Sequence, residues 1–335
     1  LKILIIGQGI AGTLLSYTLR KLGADVHIVD TPKQGCSTRV AAGIINPVTG
    51  KRFVKTWLLD SLYPAAQKIY LALGQELGCG IWENRPILRL LGSPEEINDW
   101  SSRCALPDYA DYLSEKKHAQ EWQPVLNQGF HFGLIHQSAR INFSVLLDAY
   151  KQQALEQSFF LNQWVNYDSV PELLKQYDKI VFCEGYKAIE NPYFPNVPWY
   201  LAKGEALIFR FKDFPAFHPS EMLKKTSLVS PLNDGLFWAG GGYQWDFSDV
   251  SPSANERKYI ETRLKEMFAV PYEIIDHLAG IRPTLRTRKP VLEESGICKN
   301  VFIFNGMGTK GALQTPYFAQ NMAEQLLNKS WNWAG

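Results

Sequence analysis

The chain has 335 residues, enough for about two domains, and its 46% hydrophobic content supports a sizeable core. A formal net charge of +2 lacks the overall basic excess that marks a nucleic-acid protein. Five scattered cysteines without CxxC spacing and six histidines without an HExxH cluster argue against a disulfide scaffold and a metal site, and suit a reducing cytoplasm.

Residues 2–6 (KILII) form an apolar, β-branched run, as a buried parallel strand requires. Gly7, Gly9 and Gly12 follow as GxGxxG, and apolar residues then recur at helical spacing until Gly23. A second buried strand, 26–29, ends in Asp30. Each part has a physical role in holding a dinucleotide. Gly7 permits the tight turn, Gly9 admits a pyrophosphate to the backbone, and Gly12 lets the helix pack close to the sheet. The free amides at the helix start attract phosphate, and Asp30 can accept from a ribose diol. The competing reading is a Gly-rich turn with no ligand. A signal peptide or membrane anchor conflicts with three glycines, Gln8 and a polar helix face.

A polar turn at 31–35 leads into a small-residue segment containing Ser37, Thr38, Ala41, Ala42, Gly43 and Ile44. Such a segment can thread past a bulky ligand, with two hydroxyls to offer, or serve only for packing. Lys51 and Arg52 occupy the next turn, and Trp57 to Leu73 outline a long helix. Short strands are predicted at 87–91, 130–135, 159–165, 204–211 and 235–243. Ser93-Pro94 with Glu96, Asn142, and Ser253 with Glu256 mark three helix starts. Buried strands at 177–185, closing on Gly185, and 301–304 return to the parallel sheet. A glycine loop at 306–311 precedes a last helix, which starts at Thr315-Pro316 or nearer Gly311. The expected fold is α/β. A discontinuous Rossmann-like parallel-sheet domain (1–79, 135–199 and 279–335) carries an α+β substrate domain with a mixed or antiparallel sheet (80–134 and 200–278).

Four pieces in order carry a resemblance over nearly the whole chain: the 2–30 unit, the 37–44 segment, 178–185, and Gly280-Ile281-Arg282-Pro283 with 306–311. The chain resembles the D-amino-acid oxidase and glycine oxidase group of FAD-dependent oxidoreductases. Within it, residues 43–47 with Gly50-Lys51, Gly242-Tyr243, 282–286 and 308–311 look most like the oxidase half of the bifunctional enzyme family that completes methylaminomethyl-uridine in tRNA. No counterpart of the methyltransferase half is present.

The resemblance implies non-covalent FAD rather than NAD. It puts Gly7, Gly9, Ile10, Ala11, Gly12 and Asp30 on the adenosine and pyrophosphate, and Ala41, Ala42, Gly43 and Ile44 near the flavin, with Ser37 and Thr38 beside them. Val165 should offer its backbone to adenine, and Gly185 and Gly306 complete the cofactor set. Gly308, Thr309, Lys310 and Gly311 should face the pyrimidine end of the isoalloxazine, where a helix N-terminus favours an anionic reduced ring.

The implied chemistry is hydride transfer from a carbon next to an amine nitrogen to flavin N5, giving an imine that hydrolyses. Arg282 matches the family arginine that clamps a carboxylate. Lys310 and Tyr243 are further candidates for the substrate site. Thr287 stands where most relatives carry an acid, flanked by Arg286, Arg288 and Lys289. With Lys51, Arg52, Lys55 and Lys310, these cations suit a small anionic amine such as a di- or tricarboxylate amine, or a tRNA backbone around the wobble base, or form solvated loops. A flavin-bound tRNA-binding module without turnover, and an NADPH-using hydroxylase, are the competing functions.

Overall fold

The computed structural model describes residues 1–31 and 34–328. Pro32 and Lys33 of the expected 31–35 turn, and residues 329–335, lie outside the described residues.

The apolar run at the N-terminus forms the strand Lys2–Ile6 at the centre of a six-stranded sheet. Across this sheet the order is Phe160–Leu161, Asp25–Val29, Lys2–Ile6, Lys179–Phe182, Val301–Asn305 and Val291–Glu294. All neighbours pair parallel except the last two, which form an antiparallel edge. That edge strand has no counterpart in the sequence reading. The strand expected at 159–165 is only Phe160–Leu161, because polar Asn162 and Gln163 and exposed Trp164 follow it.

Both faces of this sheet are covered, which is why its strands read as continuous apolar runs. On one side Ile3, Ile5 and Val181 pack against the helices Ile10–Lys21, Leu59–Glu76, Phe143–Glu156 and Gly311–Leu326. On the other, Leu4, Ile6 and Phe182 meet Phe194, Val197 and Leu285. Asn142 caps its helix, its side-chain oxygen accepting from the Val145 amide at 3.3 Å. The last helix begins at Gly311, the earlier of the two expected starts.

The second sheet has eight strands in the order Tyr272–Arg282, Ala202–Phe211, Phe237–Gly240, Leu228–Pro231, Met222–Lys224, Ile87–Leu91, His131–Ile135 and Leu113–Lys116. Its neighbours are antiparallel except Met222–Lys224 beside Ile87–Leu91. One face holds an aromatic core of Phe209, Phe211, Phe237 and Trp122, covered by the helix Ala254–Met267. Ser253 caps that helix through the Glu256 amide at 3.3 Å.

The edge strand Tyr272–Arg282 runs across positions 278 and 279, so Arg282 closes a strand of the second sheet. The two sheets are tied together beside it. Cys36 bridges to Ile281, and the Ile281 amide donates to Gly35 O at 3.0 Å. The short helix Ser37–Val40 lies on Gly280, whose missing side chain leaves the room: a Cβ there would sit 3.1 Å from the Ser37 Cα. Trp238 Nε1 donates to Val40 O at 2.9 Å from the same face of the second sheet.

Candidate active site

The first-sheet strands end at one edge, and each expected cofactor residue outside 37–44 and 308–311 follows such an end. Val165 comes after Phe160–Leu161, Asp30 after Asp25–Val29, Gly7 after Lys2–Ile6, Gly185 after Lys179–Phe182, and Gly306 after Val301–Asn305. Ligands of open α/β sheets bind at this carboxyl edge. Asp30 and Val165 therefore occupy one side of the glycine turn, and the 306–311 loop the other. Asp30 donates its amide to Leu161 O at 3.3 Å, and Val165 is half-buried against the cluster of Ile6 and Val29.

Steric detail in the glycine turn matches the sequence argument. Gly7 has φ +107°, and a Cβ on Gly12 would lie 1.9 Å from Gly7 O. Strand and helix could not approach so closely with any other residue at position 12. Gly9 is the N-cap and offers no side-chain cap. Thr38 serves instead: its Oγ1 accepts from the Ile10 amide at 3.2 Å. That leaves the first-turn amides of Ala11 and Gly12, which have no acceptor within the helix, aimed at the edge. Thr38 was expected to offer its hydroxyl to the ligand; it acts first on the helix start.

The helix Gly311–Leu326 begins beside the first helix, with Ile10 Cγ2 3.9 Å from where a Gly311 Cβ would be. Two helix N-termini thus converge on one place, and their positive ends suit a pyrophosphate with an anionic ring beyond it. Asn305 sets the approach. Its Nδ2 donates to Gly185 O at 2.9 Å and its Oδ1 accepts from the Gly306 amide at 2.8 Å. Gly185, Gly306 and Gly308 have φ +62°, +79° and +54°, turns that a side chain would strain.

The segment around Gly43 is fixed rather than loose. Gly43 has φ +73°, its carbonyl accepts from the Ile141 amide at 2.8 Å, and a Cβ would fall 2.0 Å from Ile141 O. Ile44 pairs with Arg140 in a small separate ribbon. Ala42 is buried; Ala41 is exposed.

The substrate candidates meet where the 306–311 loop faces the second sheet. The Gly308 amide donates to Pro283 O at 3.3 Å, which brings Lys310 and Arg282 to one neighbourhood. Lys310 Nζ donates to Thr56 Oγ1 at 2.9 Å and Thr49 Oγ1 at 3.4 Å, and burial pushes its ammonium below the usual lysine range. Thr309 beside it is exposed. Arg282 donates through Nη1 to Gly242 O at 2.9 Å and lies 4.7 Å from the Tyr243 ring centroid. Burial lowers its pKa, while Tyr243 and Glu256 oppose the shift. Gly204 makes the room, since a Cβ there would strike Arg282 Nη2 at 2.1 Å. No ion pair among the described residues uses Arg282 or Lys310, although the Glu256 carboxylate is near enough to act on Arg282.

Several expected cations do have partners. Lys55 pairs with Asp60 at 2.8 Å, Arg286 lies 5.3 Å from the Tyr200 ring and Lys289 5.2 Å from the Trp57 ring. Five contributors to the site were not singled out from the sequence: Asn305, Thr49, Thr56, Gly204 and Trp238. Their signal lies in pairing between distant strands and loops, which a linear pattern does not display.

The FAD dependent oxidoreductase family profile matches residues 2–325. The chain belongs to this family. It is therefore an FAD-using oxidoreductase, and the glycine turn, the converging helix starts and the 306–311 loop fit that cofactor. The fold is similar to iminodiacetate oxidase from Chelativorans sp. BNC1, with TM-score 0.78 and 18% identity over 98% of this chain and 96% of that one. Glycine oxidase from Geobacillus kaustophilus is similar too, with TM-score 0.79 and 18% identity over 98% and 95%. So is the L-α-glycerophosphate oxidase from Mycoplasma pneumoniae with FAD bound, with TM-score 0.70 and 16% identity over 99% and 95%. These likenesses establish the fold. No helix among the described residues is long and apolar enough to cross a membrane.

Proposed function

We propose that this flavoenzyme oxidises the C–N bond of a small amino acid or N-alkyl amino acid. The observation that carries the reading is the half-buried Arg282 guanidinium, bonded to one carbonyl and in no ion pair among the described residues, with the Glu256 carboxylate a nearby charged influence. Such a group fits a substrate carboxylate, which it can grip with two parallel N–H bonds. Bound FAD supplies the two-electron acceptor for a hydride leaving the carbon beside nitrogen. Arg282 would fix the carboxylate, Tyr243 flanks that guanidinium, and the 306–311 loop with Lys310 would hold the flavin and supply positive charge to it. The names of the glycine and iminodiacetate oxidases agree with an amine substrate. All five cysteines are free thiols, which suits a cytoplasmic enzyme.

Anaerobic mixing with glycine, N-alkyl glycines and other amino acids should bleach the flavin. Arg282→Ala should retain FAD and lose most of that reduction. Bleaching by glycerophosphate and by no amine would overturn the assignment.

A second reading places the amino-acid group on an RNA base, as in the tRNA wobble-uridine oxidases. Its support is an exposed aromatic stack at the site mouth. Tyr243, Trp245 and Tyr200 are 50%, 47% and 42% exposed, with centroid spacings of 5.7 and 4.5 Å, and Arg286 lies over Tyr200. Such rings can stack a base. RNA retention that falls steeply with salt would favour this reading, and its absence would remove it.

A further inference from the structure

We infer that Lys224 forms a second anion site facing Arg282, so that the preferred substrate is an amine carrying two carboxylates. The inference rests on the amine-oxidase reading above and names its substrate class.

Strand register relates the two cations. Directly paired residues, and residues two apart on one strand, share a face of a sheet. Arg282 pairs with Ala202, on the same face as Gly204 and Ala206. Ala206 pairs with Gly240, Gly240 with Leu228, and Leu228 with Lys224. Lys224 therefore shares a face with Arg282, opposite the aromatic core of Phe209 and Phe237. This is the face on which Ser37–Val40 packs and from which Trp238 reaches Val40.

Small residues, with Leu228 at the Lys224 end, separate the two cations. Gly204, Ala206 and Gly240 carry at most a methyl group, and the Trp238 ring lies across Gly240, 2.6 Å from where its Cβ would be. Two consecutive glycines then touch both charges. Lys224 Nζ lies 4.0 Å from the position of a Gly241 Cβ, and Gly242 O accepts from Arg282.

Arg282 feels the Glu256 carboxylate, whereas no carboxylate among the described residues acts on Lys224 in this way. Lys224 Nζ donates to Thr226 O at 2.7 Å and enters no ion pair among the described residues. Arg89, its register partner, is already engaged by Glu96 at 3.1 Å. Burial, helped by Arg89, pushes the Lys224 ammonium down to about 8, so it still carries charge at neutral pH. A desolvated ammonium with two unused N–H donors gains from an incoming carboxylate. With Arg282 holding one carboxylate and Lys224 the other, the amine between them lies over the glycine floor.

The test compares iminodiacetate with sarcosine on the FAD-loaded enzyme, wild type and Lys224→Met. It also measures calorimetric binding of diglycolate, an ether that cannot be oxidised as an amine. We expect Lys224→Met to lower the iminodiacetate-to-sarcosine ratio of kcat/KM by about tenfold or more, chiefly through KM, and to weaken diglycolate by a similar factor. Lys224→Arg should recover most of both. Equal loss for the two amines, or diglycolate binding that is absent in wild type or unchanged in Lys224→Met, would overturn the second anion site. Failure of the amine-oxidase reading looks different: no amine reduces wild-type flavin, while diglycolate binding still reports on Lys224.

Discussion

Replacing Gly204 with alanine tests the Arg282 clamp without removing its charge. Gly204 pairs with Gly280 in the second sheet, and its backbone has no positive φ. The added Cβ would sit 2.1 Å from Arg282 Nη2, whereas ordinary contact begins at 3.4 Å. The guanidinium must therefore move by about 1.3 Å, which a long flexible side chain can do while the sheet stays intact. A misplacement of about 1 Å at a positioned group can cost on the order of a hundredfold in rate. Losing one of two charge-assisted bonds costs about 1.5–3 kcal/mol, or roughly 10- to 150-fold. Gly204→Ala should thus lower kcat/KM for a carboxylated amine by about 30- to 100-fold. Thermal stability should hold or rise slightly, because alanine narrows the unfolded ensemble. Stopped-flow flavin reduction and a melting curve measure both. A variant within about twofold of wild type in kcat/KM would refute the placement of substrate on Arg282.

Other substitutions probe the frame. Gly12→Ala drives a Cβ to 1.9 Å from the Gly7 carbonyl, backbone against backbone, so it should cost about 2–4 kcal/mol in denaturant unfolding and abolish FAD retention. Gly133→Ala would place its Cβ 2.1 Å from the buried Trp100 ring and should cost about 1–3 kcal/mol, leaving the FAD site intact by flavin fluorescence. Lys224 gives a pH signature with a definite sign. Its folded pKa is depressed to about 8 from 10.5, so the unfolded chain binds the extra proton between those values. Ligand-free stability should rise with pH across that window relative to Lys224→Met, and dicarboxylate affinity should fall as pH climbs through about 8. A flat difference between the two proteins would contradict the buried ammonium.

The glycine turn was legible in the sequence because its constraints are local. Strand, turn and helix are contiguous; Gly12 answers a clash with Gly7 O and Gly7 one with Cys183 O at the end of the neighbouring strand, while a Cβ on Gly9 would meet only Thr38 Oγ1 at 3.4 Å. Capping signals at Ser93, Asn142 and Ser253 were legible for the same reason. The strand Tyr272–Arg282 was not, because its mixed exposure breaks the period-two pattern that marks a half-buried strand. Lys224 was hidden as well. Its meaning depends on a register passed through five strands to Arg282, and the surrounding Met222-Leu223-Lys224-Lys225 carries no motif. Arg282 stood out through family likeness, but the glycine that houses its guanidinium emerges only when two strands are laid side by side.

The meeting of the helix starts at Ile10 and Gly311 has a consequence for biogenesis. One half of the cofactor cradle is synthesised first and the other some three hundred residues later. A nascent chain emerging from the ribosome should not retain FAD until the Gly311–Leu326 helix has been released and has docked. Flavin capture should therefore report that the Gly311–Leu326 helix has been made and has closed the core. A chain cut before Gly311 should emerge colourless, even with its GxGxxG turn intact.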